Sequence, residues 1–216
     1  AQKNFMKHLI QNQDNDMILD QPESINIITD SAFGACQVIV QHFPKSWSIF
    51  QHYNSDCSNE INRFSGVADL EGTRWLSEQH LKNSQWKDQT ALHQLFQNLQ
   101  KNPKSLHLLW IFDGDGDRCF ILVADSTRQG IHILSGDALM LLISSESEFQ
   151  SQNKYIFNTI ESDLEASSRI LGKKFNLRQS AVGDKWLLLE AFDSRIKTLE
   201  EHLRKFSGAR KDLLDE

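Results

Sequence analysis

At 216 residues, 39% hydrophobic and 24% charged, with a formal charge of -6 at pH 7, the chain is long enough for one large α/β domain or two small ones. Its mild acidity and lack of a lysine/arginine run argue against a nucleic-acid surface. No apolar stretch approaches the ~18 residues of a membrane helix, and Ala1 to Asn15 lacks a signal-peptide pattern, so no membrane partner is expected. Cys36, Cys57 and Cys119 are odd in number and widely spaced. They read as reduced thiols of a cytoplasmic protein, without zinc spacing. The start at Ala1 and the charged end suggest a segment of a longer polypeptide.

Residues 1–21 are polar with scattered apolar positions (Phe5, Leu9, Ile10) and suit a short lead-in helix. Residues 25–30 form a short buried strand, closed by Ser31-Ala32-Phe33-Gly34-Ala35. A helix to about Phe43 and a second strand near 48–53 follow. Strand, glycine-bearing turn and helix open a βαβ unit. Residues 54–72 are polar and loop-like. Over 73–100, Trp75, Leu76, Leu81, Trp86, Leu92, Leu95, Phe96 and Leu99 recur at helical spacing, which predicts two helices broken near Asn83–Ser84. Residues 106–112 and 119–124 are continuous apolar runs, as expected of strands covered on both faces. Gly114, Gly116, Gly130 and Gly136 concentrate tight turns around them. An apolar helix runs from Ala138 to Ile143 with Asp137 as its cap. Strand, helix and strand are predicted at 154–158, 163–174 and 177–182. A final helix over 187–206 carries Leu189, Phe192, Ile196, Leu199, Leu203 and Phe206 as one apolar stripe, read most simply as core packing, with packing against a partner the alternative.

The chemistry concentrates in Phe112-Asp113-Gly114-Asp115-Gly116-Asp117-Arg118. Three carboxylates at alternate positions between apolar runs repel one another unless paired or coordinated. Oxygen-only ligands favour a hard ion such as Mg²⁺, which accepts carboxylates and leaves room for phosphate oxygen. An EF-hand calcium loop is excluded, because its glycine and glutamate positions hold Arg118 and Ala124 and its flanks are strands. Two alternatives remain open on the residues alone. One is an Asp-x-Asp phosphotransferase nucleophile, which places Thr or Val where Asp117 stands. The other is an acidic turn whose aspartates bond their own backbone. No histidines form a metal-spaced pair; His107 reads as a satisfied sheet residue and Cys119 as a strand side chain.

The loop resembles the Asp-Gly-Asp-x-Asp-Arg metal loop of the α-D-phosphohexomutase superfamily, the phosphoglucomutases and phosphomannomutases. Two further stretches resemble that family in the same order. Ile28-Thr29-Asp30-Ser31-Ala32-Phe33-Gly34-Ala35 is similar to the turn opening its second domain. Ala181-Val182-Gly183-Asp184-Lys185-Trp186 is similar to the sugar-binding turn of its third. The resemblance covers about 25 to 190 and implies two consecutive three-layer α/β units with mixed sheets. Residues 1–130 would be the second domain, with the metal loop, and 131–216 the third, with the sugar-binding loop. It implies Mg²⁺ held by Asp113, Asp115 and Asp117, and substrate contacts from Arg118, Gly183, Asp184 and Lys185. The activity implied is interconversion of hexose 1- and 6-phosphate through a phosphoserine and a bisphosphate. The family's Ser-His-Asn-Pro-type loop is absent, so the phosphoserine is expected upstream, on flanking domains, and the segment alone should be inert. The family's Gly-Glu-x-Ser-Gly sugar motif is also missing, and residues 54–105 look longer and more helical than the family usually shows. These departures keep a second reading open, a non-catalytic interaction or regulatory module derived from the fold.

Overall fold

A computed structural model describes residues 24–40, 50–55, 60–82, 86–145, 155–172 and 175–212. The expected lead-in helix and the break at Asn83–Ser84 lie outside these residues. The chain divides into two compact units, 1–146 and 147–216.

In the first unit the strands are β1 (Ile25–Asp30), β2 (Phe50–Tyr53), β3 (Trp75–Ser77), β4 (Leu106–Phe112), β5 (Cys119–Asp125) and β6 (Gly130–Leu134). They form one sheet in the order β2-β1-β4-β5-β6-β3. β1 runs parallel to β2 and β4, while β4–β5, β5–β6 and β6–β3 are antiparallel. The helices are α1 (Cys36–Val40), α2 (Glu78–Leu81), α3 (Thr90–Lys101) and α4 (Gly136–Ser145).

The continuous apolar runs are explained by burial on both faces. Successive strand residues point to opposite sides, and here both sides are covered. Ile28, Leu109, Ile111 and Leu122 pack with Leu92, Leu95, Phe96 and Leu99 of α3. Ile27, Leu108, Val123 and Leu134 pack with Leu142 of α4, flanked by Ala138 and Leu139. The result is a three-layer α/β/α unit, as the fold class anticipates.

Three expectations change. The stretch from Trp75 is not helical at its start. Residues 75–77 form β3, paired with β6 through Trp75↔His132 and Ser77↔Gly130, and only 78–81 and 90–101 are helical. The expected boundary at 130/131 falls at 146/147, because β6 and α4 complete the first unit. Asp137 lies inside the first turn of α4, which starts at Gly136; the Leu139 amide donates to the Ser135 carbonyl at 2.9 Å.

In the second unit β7 (Tyr155–Thr159) and β8 (Asn176–Ser180) pair in parallel, joined through α5 (Leu164–Gly172). Among the described residues this sheet has two strands, so it is parallel rather than mixed. Ala166, Ile170 and Phe175 form its buried core. α6 (Asp184–Asp212) packs on both strands. It starts three residues before the expected 187, and Leu189, Phe192, Ile196, Leu199 and Leu203 of its apolar stripe are exposed rather than part of the core. Among the described residues no helix is long and apolar enough to cross a membrane.

Candidate metal centre

The acidic loop is the hairpin turn between the two central antiparallel strands. Phe112 and Cys119 are the last paired residues of β4 and β5, and the Asp113 amide donates across the loop mouth to the Arg118 carbonyl at 3.2 Å. One oxygen from each of Asp113, Asp115 and Asp117 lies within 4.8 Å of the others. Asp113 is buried, while Asp115 and Asp117 are exposed.

Asp113 is held by its own loop. Oδ1 accepts the Gly116 amide at 3.0 Å and the Arg118 amide at 3.1 Å, and Oδ2 accepts Arg118 Nε at 2.7 Å. Burial on its own raises the Asp113 carboxyl, but these Arg118 donors and the Asp117 side chain outweigh it and hold it below the usual carboxylate range. Asp117 moves the other way. Its hydrogen bond to Asp113 and the Asp113 charge raise it, with Asp115 adding to the repulsion. One carboxylate fixed as an anion beside another that holds its proton longer marks a loop short of positive charge. A hard divalent ion would supply it, so the donor set fits Mg²⁺.

A second turn supports the loop from below. Asp30 ends β1 and is 1% exposed; its Oδ1 accepts the Ala32 amide at 2.9 Å, and its Oδ2 is buried without a hydrogen-bond partner. Burial pushes its carboxyl up to about 6, with partial relief from the Ala32 amide, Asn54 and the Gly66 amide. Ala32 and Phe33 take left-handed φ values of 51° and 57°, a conformation that costs L-residues about 1–2 kcal/mol each. Those two residues bring Gly34 and Ala35 against the loop, where the Ala35 amide donates to the Gly114 carbonyl at 2.9 Å. A Cβ at Gly34 would stand 2.0 Å from that carbonyl oxygen. The first two family-like stretches, some eighty residues apart in sequence, therefore meet backbone to backbone.

No protein-family model and no curated protein sequence matches this chain. Among solved structures, a phosphoglucomutase/phosphomannomutase family protein from Burkholderia thailandensis matches with a TM-score of 0.54 at 12% identity, over 88% of this chain and 35% of that one. An N-acetylglucosamine-phosphate mutase of the alpha-D-phosphohexomutase superfamily matches in its apo form at 19% identity (TM-score 0.47; 88% and 38% covered). A structure of such an enzyme in a substrate complex matches at 21% identity (TM-score 0.47; 88% and 33% covered). The chain shares the phosphohexomutase fold. It spans about a third of the length of these structures.

Within that fold Asp113, Asp115, Asp117 and Arg118 come together at the end of β4. Arg118 does more than was expected of it. Besides Asp113 it forms an ion pair with Glu71, a residue that gave no sign in its polar, aperiodic surroundings. Gly183, Asp184 and Lys185 lie in the second unit, Gly183 in the bend that precedes α6 and Asp184 and Lys185 as its first two residues. Gly183 has a φ of 112°, its carbonyl accepts the Trp186 amide at 3.0 Å, and Asp184 is the first residue of α6. Lys185 Nζ lies 5.2 Å from the Trp186 ring centre, a cation–π contact.

The residues read as structural behave accordingly. His107 is buried; its Nε2 donates to the Asn102 carbonyl at 2.8 Å and its Nδ1 accepts from Asn26 at 3.3 Å. Burial pushes the Cys119 thiol up to about 12, which leaves it protonated and unsuited to a hard cation. Trp86 packs against the α3 side of the core.

Proposed function

We propose that the chain is part of a phosphohexomutase-type enzyme, an intramolecular phosphotransferase of the isomerase class, with residues 113–118 as its Mg²⁺ loop. The convergence of the three aspartates at the end of β4, in this fold, supports the reading. The first unit then corresponds to the family's second domain and the second unit to its third. The phosphoserine that exchanges a phosphoryl group with hexose 1- or 6-phosphate comes from a flanking domain of the same polypeptide, in the cytoplasm, and this part alone is inert.

Asp113, Asp115 and Asp117 would hold Mg²⁺, which would supply positive charge to the transferring phosphoryl oxygens. The chain's own residues pre-position the loop for it. Asp113 is kept anionic and fixed by three N–H donors, and Asp115 and Asp117 offer exposed carboxylates beside it. Arg118 locks Asp113 in place through Nε and pairs with Glu71 through Nη1, and its Nη2 suits a phosphate oxygen. Gly183, Asp184 and Lys185 take the sugar end of the substrate. One observation favours the second reading, a non-catalytic module: Asp184 and Lys185 open a 29-residue helix where the resemblance calls for a loop.

Thermal denaturation with Mg²⁺ or Mn²⁺ tests the site. At a hundredfold excess over Kd, linkage adds about 2.7 kcal/mol, roughly 5–10 °C in Tm, and Asp115→Asn abolishes the shift. A melting curve unmoved by saturating metal refutes the Mg²⁺ loop. Conversion of glucose 1-phosphate by the full open reading frame separates the enzyme from the module: turnover that Asp115→Asn removes supports the first, and metal binding without turnover supports the second.

A further inference from the structure

α6 presents half-buried Leu187 and a run of small residues to its own domain. Ser194 is buried and Ala191 and Thr198 are half-buried, and at 3.6 residues per turn these positions share one side of the helix. Leu189, Phe192, Ile196, Leu199 and Leu203 lie on the opposite side, where they are 57%, 62%, 53%, 53% and 68% exposed. A contiguous apolar stripe of this kind marks an interaction surface. Its spacing alternates three and four without exception, a period of 3.5 that belongs to a coiled-coil seam. Leu189, Ile196 and Leu203 hold the a positions, and Phe192 and Leu199 the d positions, with Phe206 next in the register. Ile196 at a beside Leu199 at d is the layer that favours two strands.

The flanking charges select the occupant and its direction. Asp193 and Glu200 fall at e, Arg195 and His202 at g. In a parallel pair of copies each Arg195 faces Glu200 of the partner subunit, twice by symmetry. In an antiparallel pair Asp193 meets Glu200, two carboxylates that repel, and Arg195 loses its acidic partner. The rest of the helix surface mixes acidic Glu190 and Glu201 with basic Lys197, which does not suit an anionic membrane.

We propose that α6 is a dimerisation helix through which two copies of this chain form a parallel, two-stranded coiled coil along residues 189–203, with Arg195–Glu200 pairs between copies. The proposal is independent of the metal loop and of any mutase activity. Sedimentation equilibrium from about 1 to 100 µM is expected to give twice the 24.9 kDa of one chain. Combining Ile196→Glu with Leu199→Glu, both on the exposed face, leaves a monomer with an unchanged near-UV spectrum. Arg195→Glu and Glu200→Arg each weaken the dimer about tenfold, and the charge-swapped double variant returns to within about threefold. A monomer at the highest concentration, a dimer indifferent to the two glutamates, or a swapped variant no tighter than the single ones would overturn the proposal.

Discussion

Asp30→Asn turns the burial of one carboxyl into a measurable pH dependence. In the folded chain this group ionises at about 6, against 3.8 for a free side chain, because burial penalises the anion. Between those values the folded state holds a proton that the unfolded state has released, so stability falls as pH rises. The contribution is intact below about 3.8 and fully lost once the pH has passed about 6. At 1.36 kcal/mol per pH unit the displacement is worth about 3 kcal/mol. Asparagine does not titrate, and its Oδ1 can keep accepting the Ala32 amide bond that shapes the turn. Urea denaturation of both proteins at steps from pH 4 to 8, followed by tryptophan fluorescence, gives the stability difference at each pH. The constant part of that difference reflects the new amide in a buried site. The part that changes with pH is the linkage, and relative to the variant the wild type should lose about 2.4 kcal/mol of the roughly 3 between pH 4 and 8, the remainder having gone below pH 4. Parallel curves would mean that Asp30 is solvated in the folded chain, and the account of the turn as a buried, strained support would fail.

Gly34→Ala should destabilise the first unit by about 3 kcal/mol and abolish metal-dependent stabilisation, since its Cβ meets Gly114 backbone atoms at 2.0–2.6 Å. Gly114→Ala is the control, because its Cβ meets first the Ile61 methyl at 2.2 Å on an exposed side chain that can move, and a smaller loss in urea titration is expected. Gly130→Ala places a methyl 2.2 Å from the Trp75 ring and 2.7 Å from the Leu76 carbonyl; a loss of about 1–3 kcal/mol with altered tryptophan emission is expected, and an unchanged spectrum would contradict the β3–β6 pairing.

What could be read from the residues alone divides along a physical line. Carboxylates crowded between two apolar runs state a local need for positive charge, and strands buried on both faces announce themselves by unbroken hydrophobicity. β3 had no such signature. Trp75 and Leu76 satisfy helical spacing as well as strand alternation, and the choice is made by partners more than fifty residues away. The Trp75 ring stacks edge-on over His132 at 4.6 Å, and His132 of β6 is in turn paired at 3.0 Å with the buried Asp125 at the end of β5. The stripe on α6 shows the same limit: periodicity reveals that one face of a helix is apolar, but not which face the domain uses.

The candidate site combines both kinds of information. Its charges are local to 113–118, yet the position of those charges depends on a turn that carries none of the chemistry. Asp30 bends the chain after β1, Ala32 and Phe33 accept left-handed backbone, and only then can Gly34 lie against Gly114. Burying a carboxyl with one oxygen left unpartnered and straining two residues are both unfavourable, and both act to deliver one close backbone contact beneath the acidic loop. A methyl group at Gly34 should therefore damage cation binding as surely as the loss of an aspartate, although it lies outside the loop and offers no ligand.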